Sequence, residues 1–145
     1  SGILHITQGN VMDDREISDY IIQQAQTYDV KEIGFDAYNA ASLVARLNDA
    51  GLPVKKVGQG MAVLSNPSKH LEKLLLNYSI KHDGNPFVGW QLGNCEVYED
   101  VNGNIKVRKN EADKSAKVDG IISLIIAIHC SLDNAGSSGF GFRTF

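Results

Sequence analysis

VKEIGFDAYNAASLVARLNDAGLPVKKV, residues 30–57, decides the fold class. Lys31 to Asp36 reads as a strand that ends on a carboxylate, and Ala40 to Ala50 reads as a helix closed by Gly51. Pro53 to Val57 then reads as another strand. Upstream, Gly2 to Thr7 is strand-like. From Asp13 the spacing Ile17, Tyr20, Ile21, Gln24, Ala25, Tyr28 is helical, with Asp13 or Asp14 as N-cap. The order βαβαβ predicts an α/β domain with a mainly parallel sheet and helices packed on it.

The pattern changes after Gly60. Asn66-Pro67 reads as a helix start, a cap followed by an N1 proline, with Leu71, Leu74, Leu75 and Tyr78 as the apolar stripe. Asn85-Pro86 repeats the device and opens a segment in which Phe87 and Trp90 are expected in the core. CEVYED and NIKVRK flank Val101-Asn102-Gly103 and predict a β-hairpin, because Asn-Gly suits the positive φ angles of a tight turn. The last helix is expected from about Ser115 to Leu132, burying Ile121, Ile122, Ile125, Ile126 and Ile128 on more than one side. Residues 134–145, NAGSSGFGFRTF, read as a flexible tail.

Composition sets outer bounds. With 145 residues, 43% of them hydrophobic and 21% charged, the chain can build one domain with a real core. A formal charge of −3 argues against indiscriminate nucleic-acid binding, although local patches can override so small an average. No apolar stretch reaches the roughly 18 residues of a membrane span, and the first residues do not look like a secretory signal, so the expected location is cytoplasmic. Cys95 and Cys130 have neither zinc spacing nor the density of a disulfide scaffold.

Two acids stand out. Asp119 heads the most apolar helical stretch, KVDGIISLIIAIHC, where a carboxylate beside buried surface needs positive compensation from the helix terminus or from a metal ion. Asp36 ends an apolar strand in the same way. Read without further context, Asp36 is divided evenly between a helix N-cap and a ligand, and Asp119 is better explained as a first-turn acid complementing the helix dipole. Asn39 is more simply a cap than a support for a metal site. His82 and His129 complete no zinc set, and Asp83, Asp100, Glu111 and Asp113 read as turn or surface charges. Lys106, Arg108, Lys109, Lys114 and Lys117 form a basic cluster on the hairpin and the loop leading to Asp119. It suits phosphate contact, against the alternative of a hairpin edge kept soluble by lysines among Glu111 and Asp113.

Several motifs together carry a family resemblance: Asp36 with Tyr38 and Asn39, the GQG...LSNP turn (Gly58 to Pro67), the HDGNP...W...N segment (His82 to Asn94), and K...KVDG entering an apolar helix. From about residue 1 to residue 130 the chain resembles the C-terminal nuclease region of tailed-bacteriophage terminase large subunits. The resemblance implies an RNase H-like mixed sheet flanked by helices with an added β-hairpin. It also implies cleavage of concatemeric double-stranded DNA with two Mg²⁺ or Mn²⁺ ions, in the bacterial host cytoplasm. Portal protein and small terminase subunit are the implied partners in the full motor.

Three acids hold the metals in that family. Asp36 matches the second and Asp119 the third, Asn39 is the candidate for a supporting hydrogen bonder beside its simpler reading as a cap, and the first acid has no counterpart. Two ions about 3.5–4 Å apart usually need a bridging carboxylate. Residues 1–133 are therefore expected to be a partial nuclease domain lacking its first strands and the ATPase domain, weak or inactive alone, with strand edges that invite a homo-oligomer.

Two other classes remain open at this stage. A non-catalytic assembly fragment could dock on portal or small subunit through Phe140, Phe142 and Phe145. A nucleotide-binding α/β domain is the weaker alternative, because Gly9 and Asn10 after the first strand make no dinucleotide fingerprint.

Overall fold

Asp13 begins the first helix as its position in the sequence predicts. Its carboxylate accepts a hydrogen bond from the Arg15 N–H at 2.8 Å, and α1 runs over Asp14–Ala25 with Asp14 and Glu16 in the positive first turn. The computed structural model describes residues 13–38 and 40–138, excepting the side chains of residues 136–138. The strand expected over Gly2 to Thr7, Asn39, and the tail residues Phe140, Phe142 and Phe145 lie outside the described residues.

The described residues form two compact units that divide between Val57 and Gly58. In the first, β1 (Ile33–Phe35) pairs in parallel with β2 (Val54–Lys56), in the register Ile33 to Val54 and Phe35 to Lys56. Parallel partners need a crossover, and α2 (Ala41–Asp49) supplies it. Gly51, at φ +75°, ends α2: its N–H reaches the Asn48 carbonyl, and the Leu52 N–H reaches that of Leu47. This is the double closure of a Schellman motif. Arg46 joins the two helices, donating from Nε to the buried Ser18 hydroxyl at 2.6 Å and from Nη2 to Asp19 Oδ1 at 2.8 Å.

The second unit departs from its sequence reading at Pro67. Asn66-Pro67 does not start a helix; α3 spans Met61–Leu76 and carries Pro67 in its interior. An interior proline removes one ladder bond and costs about 3 kcal/mol. Leu64, Ser65, Ser68 and Leu71 are nevertheless buried on both sides of it, on a face turned to β4 and the last helix. Burying Leu64 and Leu71 recovers roughly 1.5–3 kcal/mol each, which outweighs the local signal. Tyr78 is likewise not part of the apolar stripe. It follows the helix at φ +52° and is 93% exposed, while its N–H and that of Ser79 close on the Leu75 and Leu74 carbonyls. It occupies the left-handed position that Gly51 fills after α2.

Asn85 and Pro86 behave as predicted. Asn85 Oδ1 accepts from the Phe87 N–H at 2.9 Å, and α4 covers Pro86–Gly93. Phe87 is half-buried and Trp90 is 44% exposed, the two rings 5.4 Å apart, so Trp90 is not the core residue its size suggested. The predicted hairpin forms from β3 (Cys95–Glu99) and β4 (Ile105–Lys109), with Val97 opposite Val107. Its turn is not the tight Asn-Gly type. Residues 100–104 make a longer loop in which Gly103 alone has positive φ, and Asp100 accepts from both the Asn102 and Asn104 N–H groups.

The last helix, α5, starts at Asp119 instead of near Ser115 and continues through Ser138, past the expected end at Leu132. Residues 113–116 are held in a turn by Asp113, which accepts from the Ser115 N–H and hydroxyl. Ile121, Ile125, Ile126 and Cys130 of α5 are buried with Leu64, Leu71 and Ile105, in a core where α5 and β4 both pack on α3.

Candidate active site

Asp36 follows the last residue of β1 and is exposed. Strand-end geometry places it at a turn, where its Oδ1 accepts from the Tyr38 N–H at 3.2 Å. It does not cap α2, whose N-cap position is Ala40 and receives no side-chain bond. No other hydrogen bond or ion pair engages the Asp36 carboxylate among the described residues, so Oδ2 remains available.

Asp119 is the first residue of α5 and is also exposed, so no burial cost has to be offset there. Its backbone carbonyl accepts from the Ser123 hydroxyl at 2.9 Å, while its carboxylate has no partner among the described residues. The acid at the positive end of the helix dipole is favourable in its own right. Both aspartates thus offer free carboxylate oxygens, the donor type that Mg²⁺ and Mn²⁺ prefer, and in that respect fit such an ion. Among the described residues no cluster of three or more His, Cys, Asp or Glu side chains has the arrangement of a metal site.

The start of α5 is organised from α4. Val118 is the residue before the helix, its carbonyl accepting from the Ile122 N–H at 2.9 Å, and its side chain has nothing with which to cap. Gln91 takes that role: its Oε1 accepts from the Gly120 N–H at 2.6 Å, and Gln91 is only 4% exposed. Asn94 donates from Nδ2 to the Lys117 carbonyl at 3.1 Å, and its own carbonyl accepts from the Asn110 N–H. Sequence reasoning passed over Gln91 and took Asn94 only as the end of the HDGNP...W...N segment. The available signal was Gln91 itself, an amide interrupting the apolar run PFVGWQLG.

The basic residues divide. Arg108 lies across the hairpin from Glu96, with Nε 3.5 Å from Glu96 Oε2 and Nη1 3.7 Å from Glu111 Oε1, and its guanidinium stands 5.7 Å from the Tyr98 ring centre. Its charge is locally balanced. Lys106, Lys109, Lys114 and Lys117 are exposed and in no ion pair among the described residues. Strand alternation puts Lys106 and Arg108 on one face of β4 and Lys109 on the other, so the cluster is not a single surface.

The other acids, the histidines and Cys95 that the sequence singles out have local roles. Asp100 is held below the usual carboxylate range, chiefly by the Asn104 side-chain amide and then by the Asn104 N–H. Asp113 is lowered by the Ser115 hydroxyl and N–H, engagements that tie it to its own turn. Burial pushes the Cys95 thiol up. His82 Nδ1 accepts from the Gly84 N–H, and His129 lies 3.5 Å from Asp133.

The family described as the terminase large subunit endonuclease domain matches residues 1–134, a stretch that includes the strand-end Asp36 and the helix-head Asp119. The chain belongs to this terminase family. Protein YmfN of Escherichia coli (strain K12) is 32% identical over 134 residues, 88% of this chain and 28% of YmfN, so the chain spans little more than a quarter of that relative. The crystal structure of the HK97 bacteriophage large terminase superposes with a TM-score of 0.77 at 23% identity, covering 89% of this chain and 27% of that one. That likeness establishes the fold of this terminase nuclease domain, an α/β fold of the RNase H-like type. Among the described residues no helix is long and apolar enough to cross a membrane.

Proposed function

We propose that this chain is the DNA-cutting part of a phage packaging motor, a Mg²⁺- or Mn²⁺-dependent endonuclease acting on concatemeric double-stranded DNA. What supports the reading is family membership across a segment that contains both Asp36 and Asp119, with Asp36 Oδ2 and both Asp119 carboxylate oxygens free of partners among the described residues. Asp36 and Asp119 would hold divalent metal, with Asn39 supporting them. Held there, divalent metal would supply activation of the attacking water and charge stabilisation at the leaving oxygen of the phosphodiester.

Lys106, Lys109, Lys114 and Lys117 neutralise phosphates and orient the duplex without reading its sequence, and Arg108 contributes less because two glutamates already engage it. The sequence supplies two of the three acids that the family resemblance implies, so cleavage by these 145 residues alone is weak. Portal protein and the small terminase subunit are the partners this reading assigns to the whole motor.

A Mn²⁺ titration followed by thermal unfolding tests it. The ion should raise the melting temperature of the wild-type chain, and Asp36→Asn or Asp119→Asn should abolish the rise. Stabilisation that survives both substitutions would remove the two aspartates as ligands. Rapid Mg²⁺-dependent nicking of supercoiled plasmid by the purified chain would contradict its expected weakness.

A further inference from the structure

We propose that Gln91 is a positioning residue for Asp119, fixing from α4 the backbone from which the first carboxylate of α5 projects; the proposal rests on Asp119 being a metal ligand. A helix begins with N–H groups that have no partner within the helix, and a Ser, Thr, Asp or Asn just before it usually accepts from one of them. Val118 stands at that place in α5 and cannot. The acceptor comes instead from another helix, 29 residues away in sequence, as Gln91 Oε1 at 2.6 Å from the Gly120 N–H.

Three observations make this more than an incidental contact. Gln91 is 4% exposed, so water competes little for the bond. Gly120 is shaped for it, since a Cβ there would stand 2.9 Å from Gln91 Oε1 and 3.2 Å from Nε2. Asn94, on the same turn of chain, holds the Lys117 carbonyl at 3.1 Å. The backbone is therefore pinned on both sides of Asp119, at Lys117 and at Gly120, by the C-terminal end of α4. The Asp119 carboxylate itself is left unengaged and exposed. With the backbone on either side already fixed, only the side-chain torsions of Asp119 are left to order when it meets a cation.

The test uses the full chain with two readouts, amide hydrogen exchange at Gly120 and Mn²⁺ affinity measured by calorimetric titration. Gln91→Met keeps the volume and loses the acceptor. It should speed Gly120 exchange about fivefold, the equivalent of a lost helix cap, and weaken Mn²⁺ binding about tenfold, as removal of a partner behind a metal ligand does. Gln91→Glu keeps an acceptor and should retain both properties. Gly120→Ala, which leaves Gln91 in place but crowds it, should weaken Mn²⁺ binding even if Gln91→Met does not fold.

Unchanged Gly120 exchange in Gln91→Met overturns the capping bond. Faster exchange with unchanged Mn²⁺ affinity overturns the positioning role alone. Mn²⁺ binding by the wild type that is indifferent to Asp119→Asn overturns the metal reading beneath it, a result distinguishable from the other two.

Discussion

The Ser65 hydroxyl on α3 accepts a hydrogen bond from the Ile105 N–H on β4 at 3.0 Å, a buried link between residues 40 apart in the chain. It joins the helix that carries Pro67 to the hairpin that carries the basic residues. Ser65 is 6% exposed and Ile105 is 7% exposed, so no water stands ready to replace either partner. Ser65→Ala would leave a backbone donor unsatisfied in the core, and the expected destabilisation is about 1–3 kcal/mol, measured by urea unfolding. A loss below a few tenths of a kcal/mol would show that the N–H finds another acceptor.

Tyr78 and Gly51 occupy equivalent places after α3 and α2, both left-handed and both closing a double hydrogen bond. Glycine adopts this conformation freely, whereas an L side chain is strained by about 1–2 kcal/mol. Tyr78 is 93% exposed and has little packing to lose. Tyr78→Gly should therefore stabilise the protein by about 1 kcal/mol in chemical denaturation, an unusual direction for removing a large side chain.

The Asp100 loop should be acid-sensitive. Its carboxylate is lowered from an ordinary value of 3.8 by bonds to Asn104 and Asn102, so its contribution is fully present above 3.8 and is lost as pH falls through the lower folded value. In an NMR titration downward from neutral pH, the Asn102 and Asn104 amide signals should hold to below 3.8 and then move together. Asp100→Ala should show the shifted signals at neutral pH.

DNA affinity should separate the lysines from the arginine. Replacing Lys106, Lys109, Lys114 and Lys117 together by Ala should weaken duplex binding and lower the slope of log affinity against log salt by about 1 for each phosphate contact removed. Arg108→Ala should change that slope much less, because Glu96 and Glu111 already engage the guanidinium. Fluorescence anisotropy at several salt concentrations measures both, and equal effects from Arg108 and a single lysine would show that the ion pairs open on binding.

The features legible in the sequence were those in which cause and effect lie within a few residues. Asp13 as a cap, Asn85-Pro86 as a helix start, Gly51 as a helix end and the β3–β4 hairpin each depend on local φ preferences and on side chains that reach two or three residues along the chain. The motif pattern likewise carried the family and its RNase H-like fold. Tertiary structure alone decided the rest. Pro67 stays inside α3 because burial on both sides of it exceeds the cost of one lost backbone bond, and no local rule contains that comparison. Trp90 is exposed and Gln91 buried on the same short helix, the reverse of their hydropathy, because burial follows which face meets α5 and not which residue is more apolar. The start of α5, and with it the base of Asp119, depends on an amide 29 residues away, and such a partnership exists only after the chain has folded.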